Sequence, residues 1–339
     1  MFKFLKLRRS KDAAPAASAA GVAAGEEGDR PRFDAESLLR RLEWTVIRRL
    51  DGLLQGDYRT LLRGFGLDLA DLREYQAHDD VRYIDWNVTA RMEVPYVREF
   101  QEDREVTAWF VMDLSGSVDF GSAKLRKREL AAELAGVLAR VLTRHGNRVG
   151  ALLHGREREE VIPVRGGRAQ VLRLIDRIAA MQAQAPAKAA GKTTDLGALL
   201  QHAQQLIKRR SVVFVVSDFI STPGWEQALS LLARRHEVVA VRLYDPMELN
   251  LPPLGLVVLQ DAETGEQLFV DTQDSGFRQR FTAQAQAREQ NLRETLGRAG
   301  VDCLELATDA DLHAALLRFI DLRKRRSRLA AGAVAAAVA

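Results

Sequence analysis

Several features are scarce or missing in this sequence, and each absence excludes a class of protein. The 339 residues contain one cysteine, Cys303, so an intramolecular disulfide cannot form and a reducing compartment is indicated. No run approaches the ~20 apolar residues that a membrane-spanning helix needs. The apolar stretch at the start of the chain is also too short for a secretory signal. We therefore expect a soluble, cytoplasmic protein without a membrane span.

Sequence motifs for common cofactors are also missing. The six histidines are scattered singly, without an H-x-x-x-H pair, so a zinc site is not expected. Neither G-x-x-x-x-G-K-[ST] nor G-x-G-x-x-G occurs, so the chain is not expected to bind a nucleotide itself. The formal charge is only +4 and no nucleic-acid-reading motif accompanies it, so we expect no nucleic-acid partner.

The residues that are present divide the chain into four predicted segments. Residues 1–33 are rich in Ala, Gly and Pro, which predicts a disordered leader. Residues 34–104 combine a helical pattern with extended segments. Residues 105–325 alternate strand and helix patterns, which predicts a doubly wound, mostly parallel α/β sheet with the preceding segment packed on it. Residues 326–339 form a low-complexity tail.

A polar loop follows the strongest strand pattern in the chain. The apolar run 106–112 predicts a buried strand, central in the sheet because both of its faces are apolar. Asp113, Ser115 and Ser117 come directly after it and place three oxygen donors on one tight loop. Oxygen ligands suit Mg²⁺, with Mn²⁺ as the second choice.

Two further polar residues occur at comparable positions downstream. Thr194 opens a helical pattern, with Thr193 as the alternative, and Asp218 ends a second buried strand pattern at 212–217. Ligands of an open parallel sheet bind outside the carboxyl ends of its strands, so Asp113 and Asp218 are expected to point to the same crevice.

These residues together resemble the von Willebrand factor A fold and its metal-ion-dependent adhesion site. That site consists of a D-x-S-x-S loop, a Thr on a second loop and an Asp on a third. The resemblance implies that Asp113, Ser115, Ser117, Thr194 and Asp218 bind Mg²⁺ and leave one position open for an acidic residue of a partner protein. The alternative is that Asp113 and Thr194 are ordinary helix caps.

A second motif lies between residues 72 and 91, where charged and aromatic residues are unusually dense. The L-R-E-Y, D-D-x-R-x-I-D-W and A-R pattern ahead of the D-x-S-x-S loop resembles the bacterial family named domain of unknown function 58, over about residues 60–245. The resemblance implies a von Willebrand A-like domain, often encoded beside a MoxR-type AAA+ ATPase. The chain would belong to the soluble branch, because it lacks the two amino-terminal membrane helices of many members. The charged and aromatic residues of this motif are Arg73, Asp79, Asp80, Arg82, Asp85, Trp86 and Arg91.

The second motif has three interpretations. Its arginines and carboxylates can form ion pairs that fix an extended segment onto the α/β core. They can instead form a docking surface for a partner. A catalytic carboxylate pair is the third alternative, but Asp79 and Asp80 would point to opposite sides of an extended chain.

Two functions remain in competition. The first is a metal-dependent adaptor that binds proteins, without enzymatic activity, and works with a MoxR-type ATPase or its client. The second is a Mg²⁺-dependent hydrolase with Ser115 or Ser117 as the nucleophile. The hydrolase needs a general base, for which Asp119 and Asp195 are the candidates nearest in sequence.

Overall fold

A six-stranded, mostly parallel sheet organises the chain. The computed structural model describes residues 6–9, 34–47, 69–76, 79, 81, 84–100, 106–122, 125–155, 158–182, 194–260 and 266–338. The strands in these ranges are β1 (Lys6–Arg9), β2 (Leu69–Glu74), β3 (Tyr96–Phe100), β4 (Thr107–Asp113), β5 (Arg148–His154), β6 (Glu159–Arg165), β7 (Val212–Ser217), β8 (Glu237–Tyr244), β9 (Leu256–Gln260), β10 (Gln267–Asp271) and β11 (Asp302–Ala307).

Helices alternate with the strands from β4 onward. They are α1 (Ala35–Leu42), α2 (Trp86–Met92), α3 (Lys127–Arg144), α4 (Arg168–Gln182), α5 (Leu196–Leu206), α6 (Trp225–Arg235), α7 (Pro246–Leu249), α8 (Ser275–Ala299) and α9 (Leu312–Val338). A π-helical turn (Glu43–Ile47) extends α1, and a 3₁₀ turn (Gly116–Asp119) lies between β4 and α3. The sequence therefore predicted the fold class correctly.

The order of strands in the main sheet is β11–β8–β7–β4–β5–β6. The strands from β11 to β5 are mutually parallel, and only β6, paired with β5, is antiparallel within this sheet. The run 106–112 was expected at the centre, and β4 does lie between β7 and β5 with six of its seven residues buried. Phe110 stacks on Phe214 of β7 with ring centroids 5.3 Å apart, which anchors the two central strands to each other.

Two apolar clusters cover the two faces of the sheet. On one face, alternate β4 side chains such as Phe110 pack with α1, α3, α4 and α9. On the other face, Trp109 and Val111 pack with α5, α6 and α8. This alternation follows from the two-residue period of a strand.

The amino-terminal segment contributes directly to the first cluster. Asp34 caps α1 by accepting hydrogen bonds from the backbone N–H groups of Glu36 and Ser37. Leu39 of α1 and Ile47 of the π-helical turn are fully buried in the cluster. β2 and β3 form a separate two-stranded antiparallel sheet.

Both ends of the chain contain more regular structure than their composition predicts. Within the predicted disordered leader, Lys6–Arg9 form β1 and pair with β9 in a three-stranded sheet with β10. The other residues of that leader lie outside the described part, and α1 begins shortly after it, at Ala35. The predicted low-complexity tail continues α9 to Val338, in keeping with the high helix propensity of Ala. Among the described residues, none of the helices is apolar over enough length to cross a bilayer.

Candidate metal centre

Polar residues gather where the parallel strands of the main sheet end. Asp113 ends β4, Asp218 follows β7, and Asp245 follows β8. All three carboxylates are buried. The shared strand direction brings them to one edge of the sheet, as the sequence predicted for Asp113 and Asp218.

The first loop folds around the Asp113 carboxylate. Its Oδ1 accepts a hydrogen bond from the Ser115 N–H at 3.0 Å, and its Oδ2 accepts one from the Ser217 hydroxyl at 2.9 Å. The hydroxyls of Ser115 and Ser117 lie 3.1 Å apart. The structure therefore brings Asp113, Ser115 and Ser117 together, and it adds Ser217, whose role the sequence analysis missed.

Asp113 is a buried carboxylate that forms no ion pair with any residue in the described ranges. Burial raises the pKa of Asp113, and the negative charge of Asp218 raises it further. Burying an unpaired charge is costly, so a cation at this position would relieve a real electrostatic penalty.

The second loop lies against the third. Thr194 is buried, and its carbonyl oxygen accepts hydrogen bonds from the Ser221 hydroxyl at 2.8 Å and the Thr222 N–H at 3.3 Å. Asp195, not Thr194, caps α5 by accepting from the Ala198 N–H at 2.9 Å. The alternative interpretation of Thr194 as a helix cap is therefore wrong. Thr193 lies outside the described residues.

The third loop contains an ion pair that the sequence analysis missed. Asp218 Oδ1 accepts from the Ile220 N–H at 3.0 Å, and Asp218 Oδ2 accepts from Lys127 Nζ at 3.0 Å. The same ammonium donates to Glu248 Oε1 at 2.8 Å. Burial alone would lower the pKa of Lys127, but the two carboxylates outweigh burial and raise it, so this lysine is charged.

Asp245 is a further site residue that sequence reasoning overlooked. Its carboxylate accepts from the Ser122 N–H at 2.7 Å, the Ser122 hydroxyl at 2.6 Å and the Thr308 hydroxyl at 2.6 Å. It also caps α7 through the Met247 N–H. The signal was available, because Asp245 ends an apolar strand pattern just as Asp113 and Asp218 do. Through Ser122 and Thr308, the Asp245 carboxylate connects the segment that follows the first loop to the end of β11.

The donors in this centre fit Mg²⁺ or Mn²⁺ and do not fit zinc. Two carboxylates and three hydroxyl side chains supply only oxygen, which hard divalent cations prefer. Among the described residues, no cluster of three or more His, Cys, Asp or Glu side chains has metal-binding geometry. A cation here would therefore depend on the hydroxyls and on water as well as on the two carboxylates.

The candidate general bases for hydrolysis are engaged elsewhere. Asp119 forms an ion pair with Arg128 of α3 at 2.5 Å. Asp195 is the cap of α5.

The described residues of the second motif lie between the end of β2 and the helix α2. Asp85 caps α2 by accepting from the N–H groups of Asn87 at 3.0 Å and Val88 at 3.2 Å. Asp79 accepts from the Gln76 N–H at 2.8 Å. The other described motif side chains are exposed, namely Trp86 and Arg91. The Arg73 side chain and residues Asp80 and Arg82 lie outside what the structure describes.

Comparisons with known proteins found relatives that are similar in sequence. An uncharacterized protein of Mycobacterium bovis is 38% identical over 297 residues, which cover 88% of this chain and 92% of that protein. An uncharacterized protein of Mycobacterium avium is 34% identical over 166 residues, or 48% of this chain and 94% of that one. The crystal structure of BatB from Bacteroides thetaiotaomicron is 14% identical and covers 65% of this chain and 99% of its own, with a TM-score of 0.40.

The family model described as "Protein of unknown function DUF58" matches residues 71–291. This range includes most of β2, all of β3, the three loops that carry Asp113, Thr194 and Asp218, and the central strands of the main sheet. The chain therefore belongs to the DUF58 family.

Proposed function

We propose that this protein is a metal-dependent adaptor that binds another protein through the edge of the sheet carrying Asp113 and Asp218. Mg²⁺, or Mn²⁺ in its place, would be held by Asp113, Ser115, Ser117, Thr194 and Asp218. An acidic side chain of the partner would complete the coordination. When bound, the metal supplies a positive point charge that couples cation binding to partner binding.

The observation that carries this proposal is the Asp113 carboxylate. It is buried, it is held in place by Ser115 and Ser217, and it forms no ion pair among the described residues. Such a carboxylate at a strand end, beside two hydroxyls, is costly to bury, and a bound cation would compensate its charge. Binding explains the arrangement better than hydrolysis, because Asp119 and Asp195 are occupied.

The partner we propose is a MoxR-type AAA+ ATPase or its client protein. Support comes from the family, whose members are often encoded beside such an ATPase, and from the charge that the centre would present. We propose a cytoplasmic location and no enzymatic activity of its own.

Association measurements with and without divalent cation test this proposal. The full chain is immobilised and a MoxR-type AAA+ ATPase is passed over it in Mg²⁺, in EDTA and after Mg²⁺ is restored. We expect binding in Mg²⁺, loss in EDTA and recovery on restoration. The double substitution Ser115→Ala with Ser117→Ala should weaken association at least about tenfold, as the loss of two metal ligands implies.

A matched control keeps the test specific. Ser230 of α6 donates to the Glu226 carbonyl, outside the three loops, so Ser230→Ala should leave association unchanged. Association that ignores both EDTA and the double substitution would remove the metal centre from the interface. The exposed Trp86 segment of the second motif would then be the next surface to substitute.

A further inference from the structure

Lys127 is a buried cation in a position that ordinarily disfavours one. It is the first residue of α3, and its side chain is 0% exposed. The amino-terminal end of a helix carries a partial positive charge, so a lysine there is repelled by the helix dipole as well as desolvated. Its two carboxylate partners must therefore compensate for two unfavourable effects.

Those partners connect Lys127 directly to the candidate metal centre. Nζ lies 3.0 Å from Asp218 Oδ2 and 2.8 Å from Glu248 Oε1. Asp218 is a proposed metal ligand, and Glu248 sits on α7 where its other oxygen accepts from the Asp245 N–H at 3.0 Å. One ammonium is thus shared by two carboxylates, while Asp113 nearby has no ion-pair partner among the described residues.

We propose that Lys127 is a positioning residue that also sets the charge of the metal centre. It fixes the orientation of Asp218 and cancels part of its negative charge, so that the centre binds a divalent ion reversibly and leaves the ion positive enough to attract an acidic partner. This inference rests on the proposed function. It predicts that Lys127, which is not one of the proposed metal ligands, controls the affinity of the centre for the cation.

Two substitutions with opposite expected effects test the inference. Lys127→Met removes the internal cation, so Mg²⁺ should bind more tightly, by about tenfold or more, as the Coulomb interaction of charges a few ångströms apart implies. Glu248→Gln removes one of the two negative charges that compensate the Lys127 ammonium. The positive charge beside Asp218 is then less compensated, so Mg²⁺ should bind more weakly by a similar factor. A lysine that served only as a structural tie would give weaker binding in both variants.

The measurement is calorimetric titration of the full chain with Mg²⁺ alone, with circular dichroism to verify folding. Arg323→Met is the matched control. Arg323 is also a buried cation shared by two carboxylates, Glu237 and Asp302, but at the opposite edge of the sheet. The Arg323→Met substitution should lower the stability of the fold and leave the Mg²⁺ affinity unchanged.

If Lys127→Met fails to fold, the double variant Lys127→Met with Glu248→Gln replaces it. This pair of changes conserves the net charge beside Asp218, so its Mg²⁺ affinity should exceed that of Glu248→Gln alone and approach that of the wild type. If the wild type binds Mg²⁺ and both single variants bind it equally or more weakly, the role proposed for Lys127 is wrong, while the adaptor proposal is not affected. A wild type that binds no Mg²⁺ would overturn both.

Discussion

At the scale of single residues, the charge on Asp113 is the most consequential feature of the molecule. Its two oxygens are held by Ser115 and Ser217, and its pKa is raised by burial and by Asp218. Because the pKa of this carboxyl is raised, ionising it costs more free energy in the folded chain than in the unfolded chain, so its negative charge destabilises the metal-free protein. The same buried negative charge favours the binding of a cation beside Asp113.

Asp113→Asn should therefore abolish Mg²⁺ binding without unfolding the protein. Without metal, the variant should match or exceed the wild type in unfolding free energy, by up to about 1–3 kcal/mol, since a buried charge is replaced by a neutral amide. Calorimetry and urea denaturation measure the two effects. Asp119→Asn, in the same loop but paired with Arg128, is the control and should keep its Mg²⁺ affinity. Equal affinity in Asp113→Asn and wild type would refute the ligand assignment.

Cys303 should be unreactive in the native protein. Burial, aided by the charge of Glu305, raises the pKa of this thiol to about 12. Only the thiolate reacts, so at pH 8 roughly one thiol in 10⁴ would be ionised. A disulfide reagent such as DTNB should label the folded chain far more slowly than the urea-unfolded chain. Rapid labelling of the native protein at pH 8 would contradict this.

The sequence predicted residues that belong to a local loop pattern or end a buried strand, and it missed residues whose role depends on a side-chain contact between distant elements. Asp113, Ser115 and Ser117 form a local pattern, so their proximity could be predicted. Lys127 and Asp218 are separated by 91 positions and meet only because α3 and β7 pack together. Asp245 also ends an apolar strand pattern, so its position at the end of β8 was predictable from the sequence.

At the scale of elements, periodicity predicted the strands and helices of residues 105–325 but not the short strands outside them. β4, β7 and β8 are runs of apolar residues buried on both faces, a pattern that few other structures share. β2 and β3 are rich in charge, and their pairing depends on a turn of the chain through α2. β1 pairs with a hairpin about 250 residues away, which no local pattern indicates.

The amino-terminal helix α1 offers a direct test of how an element outside the main sheet contributes to its core. Leu39 is fully buried against α3 and α4, so Leu39→Ala should lower the unfolding free energy by about 2–5 kcal/mol. Arg40, its neighbour on the same helix, has a side chain that is 71% exposed. Arg40→Ala should cost less than about 0.5 kcal/mol. Urea denaturation of the two variants makes the comparison, and equal effects would place α1 outside the cooperative core.

At the scale of the whole molecule, the sheet would connect a cation bound at the candidate metal centre to global stability. Asp113, Asp218 and Asp245 follow three adjacent strands, and their hydrogen bonds reach Ser122, Lys127 and Thr308. A cation bound here contacts loops that come from distant parts of the chain. Unfolding separates those loops, so the cation can bind strongly only to the folded state.

Mg²⁺ should consequently raise the thermal stability of the entire chain. A ligand at about 100 times its Kd adds about 2.7 kcal/mol to the unfolding free energy when it binds the folded state alone. In a protein of this size that corresponds to an increase in Tm of several degrees. Differential scanning calorimetry over a Mg²⁺ series measures it. The increase in Tm should disappear in Asp113→Asn and persist in Asp119→Asn. Because the effect follows mass action, the increase in Tm should grow with the logarithm of the Mg²⁺ concentration above Kd. An increase of the same size in Asp113→Asn would mean that Mg²⁺ stabilises the protein by general screening of its surface charge and not through this centre.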